Sequence, residues 1–226
     1  MHLVKSDPRF YTVDDRANVA AATQLQKLVE PYQNQYNETM NDVIGQAGMT
    51  LTKSRPESTL GNWASDVLQK KAEEYGAVKI HGAVQNYGGL RIPEIVKGDI
   101  MLGKIYELMP FDNMLVIVAC DGPTLMKLFD NMAQGGGWPI SYAFKHQIKD
   151  QKTVSLLING EPVDMNKVYN IAMPDYIANG GNDCFFLVDQ KRYETGKFIR
   201  DLLIEGVEQS KKPIVVKLDG RVSYTL

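Results

Sequence analysis

Thr153-Val154-Ser155-Leu156-Leu157-Ile158-Asn159-Gly160-Glu161 reads as a β-strand running into a tight turn. Asn-Gly after such a run joins antiparallel neighbours, and it leaves no room for the crossover that parallel neighbours need. Outward from this hairpin the same signals recur. Strands are expected at Met49–Ser54, Val78–Tyr87, Met114–Ala119, Ser141–Gln147, Val168–Met173, Ile214–Leu218 and Arg221–Tyr224. Helices are expected at Gly61–Tyr75, where Gly76 marks the end, and at Pro123–Ala133 and Thr195–Glu208. Strands outnumber helices and several are joined by short turns, so the fold class is α+β.

Ahead of these elements, Val19, Leu25, Leu28, Val29, Tyr32, Tyr36, Met40 and Val43 recur at helical steps from Asp14 to about Gly45. Asp14 or Asp15 is a candidate cap, and Pro31 a candidate kink. The chain therefore divides into a helical linker segment, residues 1–48, and a domain, residues 49–226. Gln134-Gly135-Gly136-Gly137 reads as a loop within that domain, since strand and helix signals continue on both sides.

The 226 residues are 44% hydrophobic, enough for a sizeable core without metal or disulfide. Net charge is -2 and the cations are scattered, which argues against nucleic acid or an anionic membrane as partner. No apolar run approaches the roughly 18 residues of a membrane span, and Met1 to Pro8 is too polar for a signal peptide. Cys120 and Cys184 sit in apolar surroundings that suit buried, inert thiols.

Asn86-Tyr87-Gly88-Gly89-Leu90-Arg91 ends the Val78 strand with two glycines and an arginine. The glycines let backbone N–H groups approach a ligand, and the guanidinium matches phosphate or carboxylate. Alone, the same letters also describe a Gly-Gly turn with a solvated arginine. Three companions change the weight: Glu57-Ser58-Thr59-Leu60-Gly61-Asn62, Met109-Pro110-Phe111-Asp112-Asn113, and Asp175-Tyr176-Ile177-Ala178-Asn179-Gly180-Gly181-Asn182-Asp183.

In order and spacing these four segments resemble the C-terminal, substrate-recognition domain of the 5′-nucleotidase family, from about Leu51 onward. The resemblance implies layers of helix, sheet, sheet and helix, and an extracytoplasmic location, periplasmic or extracellular. It also implies a nucleotide or nucleoside ligand. Phe111 and Tyr176 would clamp the base from its two faces, and stacking of this kind contributes about 1–3 kcal/mol with any base. Asn113 would hydrogen-bond the base, with turn formation as its competing role. Arg91 would face the phosphate, with Asn86, Gly88 and Gly89 shaping the pocket. Arg55, just before Pro56, reads either as a second phosphate-facing arginine or as a solvated one. Glu57 and Asn62 would cap the helix that starts near Gly61 and buttress the site.

One position departs from the family. Asn182 stands where an Asp commonly accepts hydrogen bonds from both ribose hydroxyls, and an amide oxygen is the weaker acceptor. Asp183 follows, but adjacent residues of an extended segment point to opposite faces.

Catalysis in the family needs two divalent metals and a His-Asp dyad on a separate N-terminal domain. Here His2, His81 and His146 form no ligand motif, and His81 and His146 read as packed strand residues. No Gly-X-Ser-X-Gly elbow, P-loop or Cys/His pair appears either, so no catalytic or metal-binding residue is assigned. Two roles follow from the resemblance: the recognition half of a nucleotidase whose metallophosphoesterase half is a separate domain or subunit, or a free-standing nucleotide- or nucleoside-binding module.

Overall fold

The computed structural model describes residues 27–31 and 38–225. The chain divides into two units, Met1–Thr39 and Met40–Leu226. In the first, residues 27–31 and 38–39 are helical, and the rest of the expected helix lies outside the described residues. The expected boundary at residue 48 moves back because Val43–Ala47, taken from its spacing as helix end and linker, is a strand of the second unit. Its antiparallel partner is Gly98–Met101, and that pairing decides its conformation over the local pattern.

The strands, in chain order, are β1 (Val43–Ala47), β2 (Leu51–Thr52), β3 (Gly82–Ala83), β4 (Glu94–Ile95), β5 (Gly98–Met101) and β6 (Met114–Asp121). They continue with β7 (Phe144–Lys149), β8 (Lys152–Ile158), β9 (Glu161–Pro162), β10 (Val168–Pro174), β11 (Arg192–Phe198) and β12 (Val222–Tyr224). Between them run α1 (Thr59–Tyr75), α2 (Leu102–Leu108), α3 (Gly122–Gln134), α4 (Asp175–Ala178) and α5 (Ile199–Glu208).

Two four-stranded sheets, ordered β11-β6-β10-β3 and β12-β7-β8-β9, make the frame, and β1-β5 and β2-β4 are small outlying pairs. Strand β6 is antiparallel to both β10 and β11, while β3 joins β10 in parallel. The opening hairpin is present: Ile158 pairs with Glu161, and Asn159 and Gly160 both take positive φ, 52° and 87°. A second two-residue turn, Asp150-Gln151, joins β7 to β8 with φ of 49° and 59°.

The first sheet separates two apolar cores, following the alternation of its strands. Leu115, Ile117 and Ala172 face Leu60, Ala64, Leu68, Leu202 and Leu203 of α1 and α5. Val116, Val118, Ile171 and Met173 face the other way, to Leu125, Phe129 and Met132 of α3 and to Phe144, Ile148 and Leu156 of the second sheet. The fold is α+β, with helices and sheets layered.

Four further expectations are corrected. Residues 195–198 extend as β11 before α5 begins at Ile199, because β11 pairs with Met114–Val118 of β6. Ile214–Leu218 is irregular and touches a strand only through the Ala47–Ile214 bridge. Of Val78–Tyr87 only Gly82–Ala83 is strand, with a 3-10 turn at Tyr87–Gly89. Lastly, α1 is capped by Ser58, whose Oγ accepts from the Gly61 amide at 3.0 Å, and not by Glu57 or Asn62.

Candidate functional site

The Tyr87–Gly89 turn is the hub of the site, and backbone bonds fix its neighbours. The Arg91 amide donates to the Leu108 carbonyl at 2.9 Å, which ties the turn to the end of α2, directly before Phe111. The Arg91 guanidinium thus lies 5.6 Å from the Phe111 ring centre, close enough for a cation–π attraction. Its Nη1 donates to the Gly88 carbonyl at 3.3 Å. Phe111 is 42% exposed, so part of its side chain is accessible to a ligand.

Beside Arg91 stand two more cations. Lys53 Nζ lies 4.2 Å and the Arg55 guanidinium 3.9 Å from the Tyr87 ring centre. Lys53 also donates to the Leu90 carbonyl at 2.6 Å. Burial first, then the Arg91 and Arg55 charges, hold Lys53 below the ordinary lysine range. Among the described residues no carboxylate pairs with any of the three, so their mutual repulsion favours an anion between them. Of this trio Lys53 was not foreseen. The available signal was its two-residue spacing from Arg55, which puts both on one face of an extended segment.

On the other side, Asn86 joins the turn to the Gly180-Gly181 loop. Its Nδ2 donates to Asn182 Oδ1 at 3.3 Å, and its Oδ1 accepts from the fully buried Gln85 at 3.0 Å. Gly89 is required there: a Cβ would lie 2.2 Å from Gln85 Nε2. Gly181 is pressed against Tyr176, where a Cβ would come within 2.6 Å of the ring. Tyr176 itself lies in α4 and is 46% exposed. Phe111 and Tyr176 do not stack on each other. What links them is the chain of contacts from Phe111 through Arg91, the Gly-Gly turn, Asn86 and Asn182 to Gly181.

Asn113, half-buried just before β6, accepts from the Ile199 amide through its carbonyl, and its side-chain amide has no partner among the described residues. Asp112 pairs with Arg200 at 2.8 Å and steadies the loop that carries Phe111. Glu57 is a buttress: it accepts from Asn62 Nδ2 at 2.7 Å and from the amides of Asp219 and Gly220 at 3.0 Å. Arg221, buried beside it, bonds Asp66 at 2.6 Å, Asp219 at 2.8 Å and the Ile140 carbonyl at 3.1 Å.

A groove of about 800 Å³ lies elsewhere, lined by Trp63, Lys70, Gln209, Lys217 and neighbours. The buried cations in its lining, Lys71 and Arg221, are already paired with carboxylates. Among the described residues no three His, Cys, Asp or Glu side chains are placed to share a metal ion. His81 accepts from the Asn170 amide at 3.0 Å and packs edge-on against Tyr169. Burial pushes both cysteine thiols up to about 12.

The sequence profile described as "5'-nucleotidase, C-terminal domain" matches residues 35–189. The chain is 26% identical over 217 residues to the trifunctional nucleotide phosphoesterase protein YfkN of Bacillus subtilis, covering 86% of this chain and 14% of that protein. It is 27% identical over 229 residues to protein UshA of Escherichia coli, covering 97% of this chain and 40% of that protein. The crystal structure of a 5'-nucleotidase precursor from Thermus thermophilus superposes with a TM-score of 0.77 at 26% identity, over 89% of this chain and 43% of that one. The chain thus spans less than half of each of these relatives.

Proposed function

The chain belongs to the 5′-nucleotidase C-terminal domain family, and from that premise we propose that it recognises a nucleotide or nucleoside for a nucleotidase whose hydrolytic chemistry resides on a separate metallophosphoesterase domain or subunit. The observation that carries this reading is the juxtaposition of Arg91 with the exposed ring of Phe111 at 5.6 Å, backed by Lys53 and Arg55. A base stacks on an aromatic face, and cations without acidic partners receive the phosphate. Asn113, with its free amide, offers a donor and an acceptor to the base edge without demanding one base. The chemistry derived for this chain is therefore binding and orientation. No described helix is long and apolar enough to cross a membrane. A periplasmic or extracellular location is part of the proposal and rests on the family resemblance alone.

Calorimetric titration of the full chain with AMP tests it. AMP binds, and Phe111→Ala weakens it by about 1–3 kcal/mol, roughly five- to 150-fold, with little change in melting temperature. Absence of AMP binding, or unchanged affinity in Phe111→Ala, overturns the reading.

A further inference from the structure

Residues 211–218 read Lys-Lys-Pro-Ile-Val-Val-Lys-Leu, a run rich in strand-forming side chains with cations at intervals. Among them Ile214 alone makes a bridge to a strand, through Ala47. Its amide donates to the Gln46 carbonyl and its carbonyl accepts from the Gly48 amide, both at 2.8 Å. Past that point the backbone is open. The amides of Val215, Val216, Lys217 and Leu218 and the carbonyls of Val215 and Val216 have no hydrogen-bond partner among the described residues. The Lys217 carbonyl accepts from Asn62 Nδ2 at 3.3 Å, which holds the run alongside α1. Val215 and Leu218 stand 64% and 60% exposed. Free main-chain groups beside exposed apolar side chains are what an added strand pairs with.

The same run forms one wall of the groove of about 800 Å³, and α1 forms another. Its charge is unbalanced. Arg221 holds Asp66 at 2.6 Å and Asp219 at 2.8 Å, and Lys71 holds Glu74 at 2.9 Å, so each carboxylate in the lining is already matched. Lys70, Lys212 and Lys217 are exposed in that lining and have no acidic partner among the described residues. The groove thus combines unmatched positive charge, apolar surface at Trp63, Val215 and Val216, and an open backbone edge.

We propose that this groove docks an extended, acidic segment of a partner protein, which adds as a strand beside residues 215–218 and sets its carboxylates against Lys70, Lys212 and Lys217. Main-chain hydrogen bonds hold such a segment, and the lysines select its charge. A second copy of this chain is a poor occupant. Paired through the same edge, Lys212 and Lys217 of each copy would stand near like charges, and Pro213 has no N–H to give. The groove shares no lining residue with the Phe111 and Arg91 site, so the proposal does not depend on the nucleotide reading.

The probe is a fluorescein-labelled hexapeptide of alternating glutamate and valine with blocked ends, titrated into the full chain at low salt and read by fluorescence polarisation. It binds, and a lysine–valine hexapeptide does not. Lys70→Glu combined with Lys217→Glu weakens it about tenfold or more. Two further probes, N-methylated on every glutamate or on every valine, need no altered protein. A strand donates through one edge to one neighbour, so one methylated probe binds like the parent and the other fails. Equal behaviour of the two methylated probes overturns the proposal, as does a parent peptide that does not bind or that binds no better than its lysine counterpart. Sedimentation velocity addresses the other occupant: a dimer of the chain that Val215→Asp dissociates would give the edge to a second copy, and that also overturns the proposal.

Discussion

The Arg91 guanidinium lies 5.6 Å from the ring centre of Phe111, although the two residues come from different segments. The bond from the Arg91 amide to the Leu108 carbonyl creates this proximity. On the proposed reading, charge and ring divide a ligand between them, and each end can be removed separately. Arg91→Ala weakens AMP binding by about 1.5–3 kcal/mol, the range for hydrogen bonds to charged groups, while adenosine affinity changes little. Calorimetry with both ligands checks it. Equal losses for the two would place Arg91 away from the phosphate.

A pH effect follows from His146. Its ring is fully buried, packs edge-on against Phe129, and shares one hydrogen bond, Nε2 to Thr153 Oγ1 at 3.0 Å. Nδ1 has no partner. Burial pushes its pKa down to about 4, against a weaker opposing pull from Asp130. The folded value is depressed below the ordinary 6.5, so the stability it carries is complete above pH 6.5 and is lost as pH falls toward 4. The whole loss is about 3 kcal/mol. Denaturant unfolding of wild type and His146→Gln at several pH values isolates it: the stability difference between them narrows on acidification.

Arg221 holds Asp66 and Asp219 at 2.6 and 2.8 Å while nearly fully buried. Arg221→Ala leaves Asp66 and Glu57 beside a cavity with their counter-charge gone, at a cost of about 3–5 kcal/mol. Chemical denaturation measures it. Arg221→Lys recovers only part, since an ammonium cannot span both carboxylates and the Ile140 carbonyl as the planar fork does.

The Asp150-Gln151 turn offers the reverse. Gln151 takes φ of 59° with a full side chain, a conformation glycine adopts without strain. Gln151→Gly stabilises the domain by up to about 1 kcal/mol, seen as a rise of a few degrees in melting temperature.

That turn also shows where the sequence was silent. Asn159-Gly160 announces its hairpin because both residues are ones that tolerate positive φ, whereas Asp150-Gln151 adopts the same geometry under the register of β7 and β8. Strand β1 was hidden for a like reason: Val43 sits at helical spacing from Met40, and only pairing with Met101 makes it extended. In the site, Arg91, Phe111, Tyr176 and the glycines were legible because their residue types are unusual beside turns. Lys53 was not, since a lysine is an ordinary surface letter until the fold gives it neighbours.

The fastening of Glu57 and Asp66 to residues 219–221 bears on the order of assembly. Those contacts bridge 155 to 163 positions along the chain, among the longest closures in the domain. Ser54 Oγ donates to the Glu57 carbonyl at 2.6 Å, so the basic loop that carries Lys53 and Arg55 shares this anchorage. Closing so long a loop is entropically the most demanding step, and it comes after local helices and hairpins have formed. On the proposed reading, the cationic part of the candidate site therefore gains its anchorage later than the elements built from local contacts.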